Sequence, residues 1–358
     1  MRSWSKLMGF ETIRKPPGKP GSDTDCGAGL PGADAGCWAR RLFIPLAMAM
    51  AIIAAISIAA FPGFGLQSSD RTADLWLGGD VSLGDGGRGQ LQGISGMVQG
   101  AAGIVNLEGP AAMRPQLKAG SLRLWNAPAA LPEISALNVK VAGIANNHAG
   151  DAGAGGEQRS AANLRERGIA PAGGPAGAAF FEVNGLVIAV TAHDLMHGVP
   201  TNLAEDLAAA RRQAVIGGVA RPVDLLIATF HVTGPPSYLP RPELRLAVET
   251  AYRAGATVIA AHGTHVVGPV ERREHAVIAW GLGNVAFACD CTNEQDAILL
   301  RVRVAPGEVL KAEVVPIRAG LNKKPAGPSQ DANGVFDLLE AIGSRKLERK
   351  GSVGEISR

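Results

Sequence analysis

VAGIANNHAGDAG, residues 141–153, begins with an apolar run from Val141 to Ala145. The run stops at Asn146, Asn147 and His148, and Asp151 follows among glycines. A short apolar run bounded by glycine and polar residues reads as a strand buried on both faces. Packing gives such a strand no reason to end in two amides, an imidazole and a carboxylate. In open α/β sheets, ligands bind beyond the carboxyl ends of the strands, so the ends of the neighbouring strands decide the reading.

Upstream, ADLWLGGD ends at Asp80, and GIVNLEG presents Asn106 and Glu108. Downstream, DLLIATFH ends at His231, and VIAAHGTH carries His262 and His265. One such end is ordinary, since a buried neutral histidine held by a single hydrogen bond is common. Five in succession are different, because the strand ends of one sheet point to one rim. Burying two carboxylates and four imidazoles there without a counter-charge is costly. A divalent cation, or two, removes that cost. Carboxylate, imidazole and amide oxygen together suit Zn²⁺, Mn²⁺, Fe or Co²⁺ better than Ca²⁺. His262-Gly-Thr-His265 places two imidazoles on one tight turn, a weak signal alone that its company strengthens.

Between these strands the spacing predicts helices over GQLQGISGMVQGA, PAALPEISAL, GEQRSAANLRERG, NLAEDLAAARRQAVIGG and RPELRLAVETAYRAG. AAFFEVNGLVIAVTA reads as a hairpin turning at Asn184-Gly185, and VVGPVERREHAVIAWGLG as a second one. DAILLRVRVA and VLKAEVVPIR alternate as half-buried strands do. Strand–helix units with antiparallel pairs inserted make an α/β domain with mixed sheets. Residues 319–358 read as a polar C-terminal tail with one short helix, GVFDLLEAIGS.

The first 41 residues are rich in Gly, Pro and charge and read as a disordered tail. They carry seven Lys/Arg and four acids, so the net charge of +3 resides there and the remainder is neutral. A neutral main domain lacks the basic footprint of a nucleic-acid binder. Residues 42–62 hold LFIPLAMAMAIIAAISIAAF, uncharged and long enough to span a bilayer as a helix. With Arg40 and Arg41 on its N-terminal flank, the positive-inside rule puts the tail in the cytoplasm and the main domain outside. Residues 63–73 are a linker. A start codon further along would make the same segment read as a cleavable signal. Cys26 and Cys37 fall in the tail, whereas Cys289 and Cys291 form C-D-C in the main domain, either as incidental loop cysteines or as a bonded or reactive pair.

GGDVSLG, VNLEGP, LWNAPAALPEISALNVKVAGIANNHAGDAGAGG, FHVTG, AHGTHVVGPVE and AWGLGNVAF occur in this order over residues 74–318. The series resembles the CapA family of poly-γ-glutamate capsule synthesis and export. The resemblance implies a calcineurin-like metallophosphoesterase fold, an α/β/β/α sandwich, holding two divalent metal ions. It implies that Asp80, Glu108, Asn147, His231, His262 and His265 are metal ligands. His148 resembles the acid that protonates a leaving oxygen, with Asp151 placed to hold it in one tautomer. Asn106, Asn146 and Asn284 line the rim, Asn284 at a family position with no assigned role. The implied partners are the membrane, other capsule-synthesis subunits, and an anionic polymer or phosphoester substrate. Two departures stand out. HVTGPPSYLP lacks the family's tryptophan and has no acid before Glu243, and Ala261 and Thr264 replace a glycine and a proline of the last histidine motif. The first departure leaves a non-catalytic role, polymer binding or scaffolding, as the second reading.

Overall fold

The computed structural model describes residues 71–86, 89–98, 100–116 and 122–357. The predicted tail of residues 1–41, the anchor of 42–62, most of the linker, Cys26 and Cys37 lie outside the described residues. Among the described residues, no helix is long and apolar enough to cross a membrane.

Strands β1 (Ala73–Ser82), β2 (Ala102–Leu107), β3 (Val139–Gly143) and β4 (Ala170–Ala172) lie side by side and parallel in a first sheet. Next comes the hairpin of β5 (Ala179–Val183) and β6 (Leu186–Asp194). It turns where expected, with Asn184 and Gly185 both at positive φ. A small hairpin follows, β7 (Gln213–Ile216) with β8 (Val219–Pro222). Strands β9 (Leu225–His231) and β10 (Val258–His262) run parallel to β6, and β11 (Val270–Arg273) pairs antiparallel with β12 (Ala276–Ala279). These form a second sheet in the order β11-β12-β10-β9-β6-β5. The chain then returns to the first sheet with β13 (Asn284–Phe287), β14 (Asp296–Ala305), β15 (Glu308–Arg318), β16 (Gly320–Leu321) and β17 (Gly327–Pro328). Strands β18 (Glu348–Lys350) and β19 (Val353–Glu355) close its edge.

The layering follows from the period-two alternation of strand side chains. In β1, Leu75 and Leu77 join one core cluster, and Trp76 and Val81 join another on the opposite face. In β9, Leu225 and Ile227 join the same central cluster, whereas Leu226, Ala228 and Phe230 face away. The central core therefore lies between the two sheets. Helix Gly156–Arg165 covers the outer face of the first sheet with Ala161 and Leu164. Helices Leu203–Arg212 and Pro242–Arg253 cover the second. Their buried Leu203, Leu207 and Ala210, and Leu244, Ala247, Val248 and Ala251, recur at helical spacing.

Four expectations change. The rim is not the edge of one sheet: β1, β2 and β3 belong to the first, and β9 and β10 to the second. GQLQGISGMVQGA forms only a 3₁₀ turn and four helical residues, Ser95–Val98, because its glycines favour turns over helix. The helix predicted over NLAEDLAAARRQAVIGG stops at Arg212. From Gln213 the chain is extended and turns at Gly217-Gly218, both at positive φ, as a two-glycine hairpin does. Residues 319–358 contain the short helix, Ala332–Ala341, but are not a loose tail. Phe336, Leu339, Leu347 and Ile356 enter the central core, and β19 pairs with β15. Of the readings left open for the C-D-C pair, the bonded one holds: Cys289 and Cys291 are joined as a disulfide.

Candidate metal centre

Parallel register places the donors of the first sheet. β1 and β2 set Asp80 beside Asn106, and β2 and β3 set Asn106 beside Gly143, just before Asn146. Asp80 is buried, and both its oxygens are engaged. Asn106 Nδ2 donates to Oδ1 at 2.8 Å, and the backbone N–H of Gly263, arriving from the second sheet, donates to Oδ2 at 2.9 Å. Gly263 has φ +76, and a Cβ there would overlap the Val232 carbonyl, so only glycine lets this turn approach Asp80. Asn146 acts as a clamp. Its Nδ2 donates to Leu107 O at 2.9 Å and Asn106 Oδ1 at 3.3 Å, and its Oδ1 accepts from the N–H groups of His148 at 3.2 Å and Gly109 at 3.4 Å. With its amide fully occupied, Asn146 holds the strand ends together.

The second sheet supplies imidazoles. Register pairs His231 with His262 on adjacent strands. Both rings are buried, and burial lowers the pKa of each, that of His231 to about 3. Both are therefore neutral lone-pair donors at ordinary pH. His231 Nε2 lies 2.8 Å from Asn147 Oδ1, and its Nδ1 lies 3.3 Å from Asn106 Nδ2. Among the described residues neither ring nitrogen of His262 has a hydrogen-bond partner, and Nδ1 lies 3.9 Å from Asp80 Oδ1. His265 sits at φ +57, a conformation uncommon outside glycine. Its Nδ1 is 2.9 Å from Asn284 Oδ1, which accepts that proton and leaves Nε2 with its lone pair. Asn284 stands beside Asp80 because β13 pairs with the second half of β1. The family position without a role is thus the one that orients His265.

Asp80, Glu108 and His265 each bring a ligand atom within 4.8 Å of the others. Glu108 Oε1 is 4.0 Å from His265 Nε2, and its Oε2 is buried without a partner among the described residues. The Glu108 carboxyl is pushed well above the usual carboxylate range, first by burial and then by the negative charges of Asp80, Asp151 and Asp194. Buried polar groups are almost always satisfied. Here an unpartnered carboxylate oxygen and an unpartnered imidazole flank a buried aspartate. This donor set fits a divalent cation, which would supply the absent counter-charge and occupy the free lone pairs.

His148 and Asp151 form a separate pair, Nδ1 to Oδ2 at 2.8 Å. Asp151 Oδ2 also accepts the Leu124 N–H at 2.7 Å, and the Asp151 carbonyl accepts from Arg123 Nη1 at 2.8 Å. Asp151 therefore fixes the ring and leaves Nε2 free to move a proton.

Two contributors escaped the sequence reading. Asn126, completely buried, accepts the Leu83 N–H at 2.7 Å and donates to the carbonyls of Glu108 and Gly109, each at 3.1 Å. It ties the loop at 122–127 to the ends of β1 and β2. Its signal was the W-N-A-P stretch, a polar residue among apolar ones. Asp194 ends β6, opposite His231 in register, and burial raises its pKa. The hairpin reading stopped at Ala192, although T-A-H-D is the same pattern of an apolar strand ending in ligand-type residues.

No curated protein matches this chain. Solved structures similar to it include a hypothetical protein from Thermus thermophilus, with 13% identity and a TM-score of 0.46, covering 69% of this chain and 99% of that one. A putative 5'-nucleotidase from Staphylococcus aureus in complex with alpha-ketoglutarate has 10% identity and a TM-score of 0.39, covering 75% of this chain and 58% of that one. The NAD nucleotidase of Haemophilus influenzae has 10% identity and a TM-score of 0.35, covering 78% of this chain and 58% of that one. The sequence signature of the bacterial capsule synthesis protein PGA_cap matches residues 78–289, more than half of the chain and the span from the glycines before Asp80 to Cys289. The chain belongs to that capsule-synthesis family.

Proposed function

We propose that this is a membrane-anchored capsule-synthesis protein with a calcineurin-like metallophosphoesterase domain, acting in the synthesis or export of an anionic capsular polymer of the poly-γ-glutamate type. The supporting fold features are two facing sheets with helices outside and donors at the parallel strand ends. The single observation that carries the reading is the cluster of buried Asp80, Glu108 and His262 with half-buried His265, in which a Glu108 oxygen and both His262 nitrogens lack a partner among the described residues. Asp80, Glu108, Asn147, His231, His262 and His265 would hold two divalent transition-metal ions, Mn, Fe, Zn or Co. Such ions supply Lewis-acid polarisation of a phosphoryl group. Asn284 orients His265, Asn146 and Asn126 keep the strand ends in register, and Asp151 holds His148 so that Nε2 can protonate a leaving oxygen. In this reading residues 42–62 anchor the chain, and the domain works on the outer side of the cell membrane beside other membrane subunits. The test is metal analysis of the reconstituted full-length protein together with turnover of a generic phosphodiester. Absence of bound metal after reconstitution would end the enzymatic reading.

One observation favours a second reading, a polymer-binding or scaffolding subunit. No acid stands between His231 and Glu243, and the intervening loop is tied by Arg241, which donates to the carbonyls of Thr233 at 3.2 Å and Pro235 at 2.9 Å. Capsule output that survives His148→Ala would favour scaffolding, and output that collapses would favour catalysis.

A further inference from the structure

Beside the metal centre lies a cavity of about 190 Å³. Its lining includes Ser82, Arg114, Leu124, Trp125, Cys289 and Lys323. Two backbone connections place it at the same edge. Ser82 is two residues beyond Asp80 on β1, about 7 Å along an extended strand. Leu124, on the other wall, donates its N–H to the Asp151 that holds His148.

The polar groups of this cavity are unlike those of the metal centre. The Arg114 guanidinium lies over the Trp125 ring, 5.1 Å from its centroid, and its nearest acid is Asp85 Oδ2 at 3.9 Å, beyond hydrogen-bond range. Asp85 Oδ1 is occupied by Trp125 Nε1 at 2.9 Å. Lys323 makes no ion pair or hydrogen bond among the described residues, and it stands on a left-handed turn with Asn322, φ +64 and +51. A guanidinium lying over an aromatic face, with the Asp85 carboxylate 3.9 Å away, and an ammonium therefore share one small cavity. That arrangement is suited to binding an oxyanion.

Charge selects the oxyanion. Two cations and the adjoining Asp85 leave one excess positive charge, which matches a monoanionic carboxylate better than a dianionic phosphate. The faces of Trp125, Leu124 and Ala288 are apolar and suit a short aliphatic stem. We infer that Arg114, Lys323 and Trp125 form a carboxylate-binding subsite that holds a short aliphatic carboxylate arm beside the metal centre. The inference deepens the proposed function by assigning residues that would grip a neighbouring acidic unit of the substrate, and it rests on that reading only for its biological meaning.

The test is binding, measured without turnover. Full-length protein in detergent, kept in chelator so that the metal centre plays no part, is titrated with butyrate, its amide butyramide, and inorganic phosphate. Calorimetry follows the heat, and tryptophan fluorescence reports on the ring under Arg114. Butyrate should bind saturably and at least about tenfold more tightly than phosphate, and butyramide should not bind. Arg114→Gln and Lys323→Gln should each weaken butyrate on the order of tenfold, and Arg114→Lys should restore only part of the loss, because the fork is gone. Asp85→Asn should strengthen phosphate relative to butyrate. Both cations are exposed, and matching thermal midpoints would confirm that the variants fold. No saturable butyrate binding, equal affinity for butyramide, or butyrate binding indifferent to Arg114→Gln and Lys323→Gln, would overturn the inference while leaving the metal reading intact. Failure of metal loading alone would leave these titrations unchanged.

Discussion

The two sheets meet at one edge but bring opposite chemistry to it. The first delivers Asp80, Glu108 and the amides of Asn106 and Asn146, nearly all hydrogen-bonded to one another or to backbone. The second delivers His231 and His262, kept neutral by burial, the latter with no partner at all among the described residues. Where the carboxyl groups of one side meet the imidazoles of the other, a Glu108 oxygen and both His262 ring nitrogens are left without a hydrogen-bond partner among the described residues. The difference teaches that the two sheets supply complementary donors, and under the proposed function a cation would complete the set.

The largest effect should come from separating the proton donor from the cation holders. His148→Ala should lower phosphodiester turnover by about 10²–10⁴-fold with metal content unchanged. Metal analysis and kinetics on the same preparation check both halves, and a parallel loss of metal would place His148 among the ligands instead. Next, a cation held between the sheets should stabilise the fold by about 2.7 kcal/mol at a free concentration a hundredfold above its Kd. Urea midpoints with Mn²⁺ or Zn²⁺ and with chelator measure this, and Asp80→Ala should abolish the difference. Removing a support rather than a ligand should cost less. Asn284→Ala frees the His265 ring and should weaken metal affinity about 10–100-fold, readable by competition with a chromogenic chelator.

The smallest effect sharpens the comparison through acid. His231 titrates near 3 in the folded chain and near 6.5 when unfolded, with burial as the main cause. Its contribution to stability is thus fully present above about pH 6.5 and is lost as the pH falls towards about 3. The slope is on the order of 1.4 kcal/mol per pH unit for each such ring. Urea midpoints of metal-free protein between pH 7 and 5 should fall, and His231→Gln should flatten the trend. An unchanged slope in that variant would mean that the imidazoles of the second sheet do not set the acid sensitivity.

Much of this site was legible because ligand-type residues closed one apolar run after another, from Asp80 to His265. What was not legible came from pairings distant in sequence. Asn284 gains its role only because β13 lies against the second half of β1, and Asn126 because its loop folds over the ends of β1 and β2. Asp194 was readable in principle, since T-A-H-D repeats the strand-end pattern, but the hairpin reading stopped at Ala192, short of it. The hairpin at Gln213–Pro222 was hidden by a helical run of alanines leading into it.

By itself the sequence determined which segments become buried strands and which residues stand at their ends, because hydrophobic periodicity and chain breaks are local properties. The tertiary structure alone decided that those ends come from two sheets and not one. It also decided that residues 319–358 join the core and that Arg114 and Lys323 share a cavity. Each of these depends on long-range pairing and on where unpartnered charge is left, and no local pattern records either.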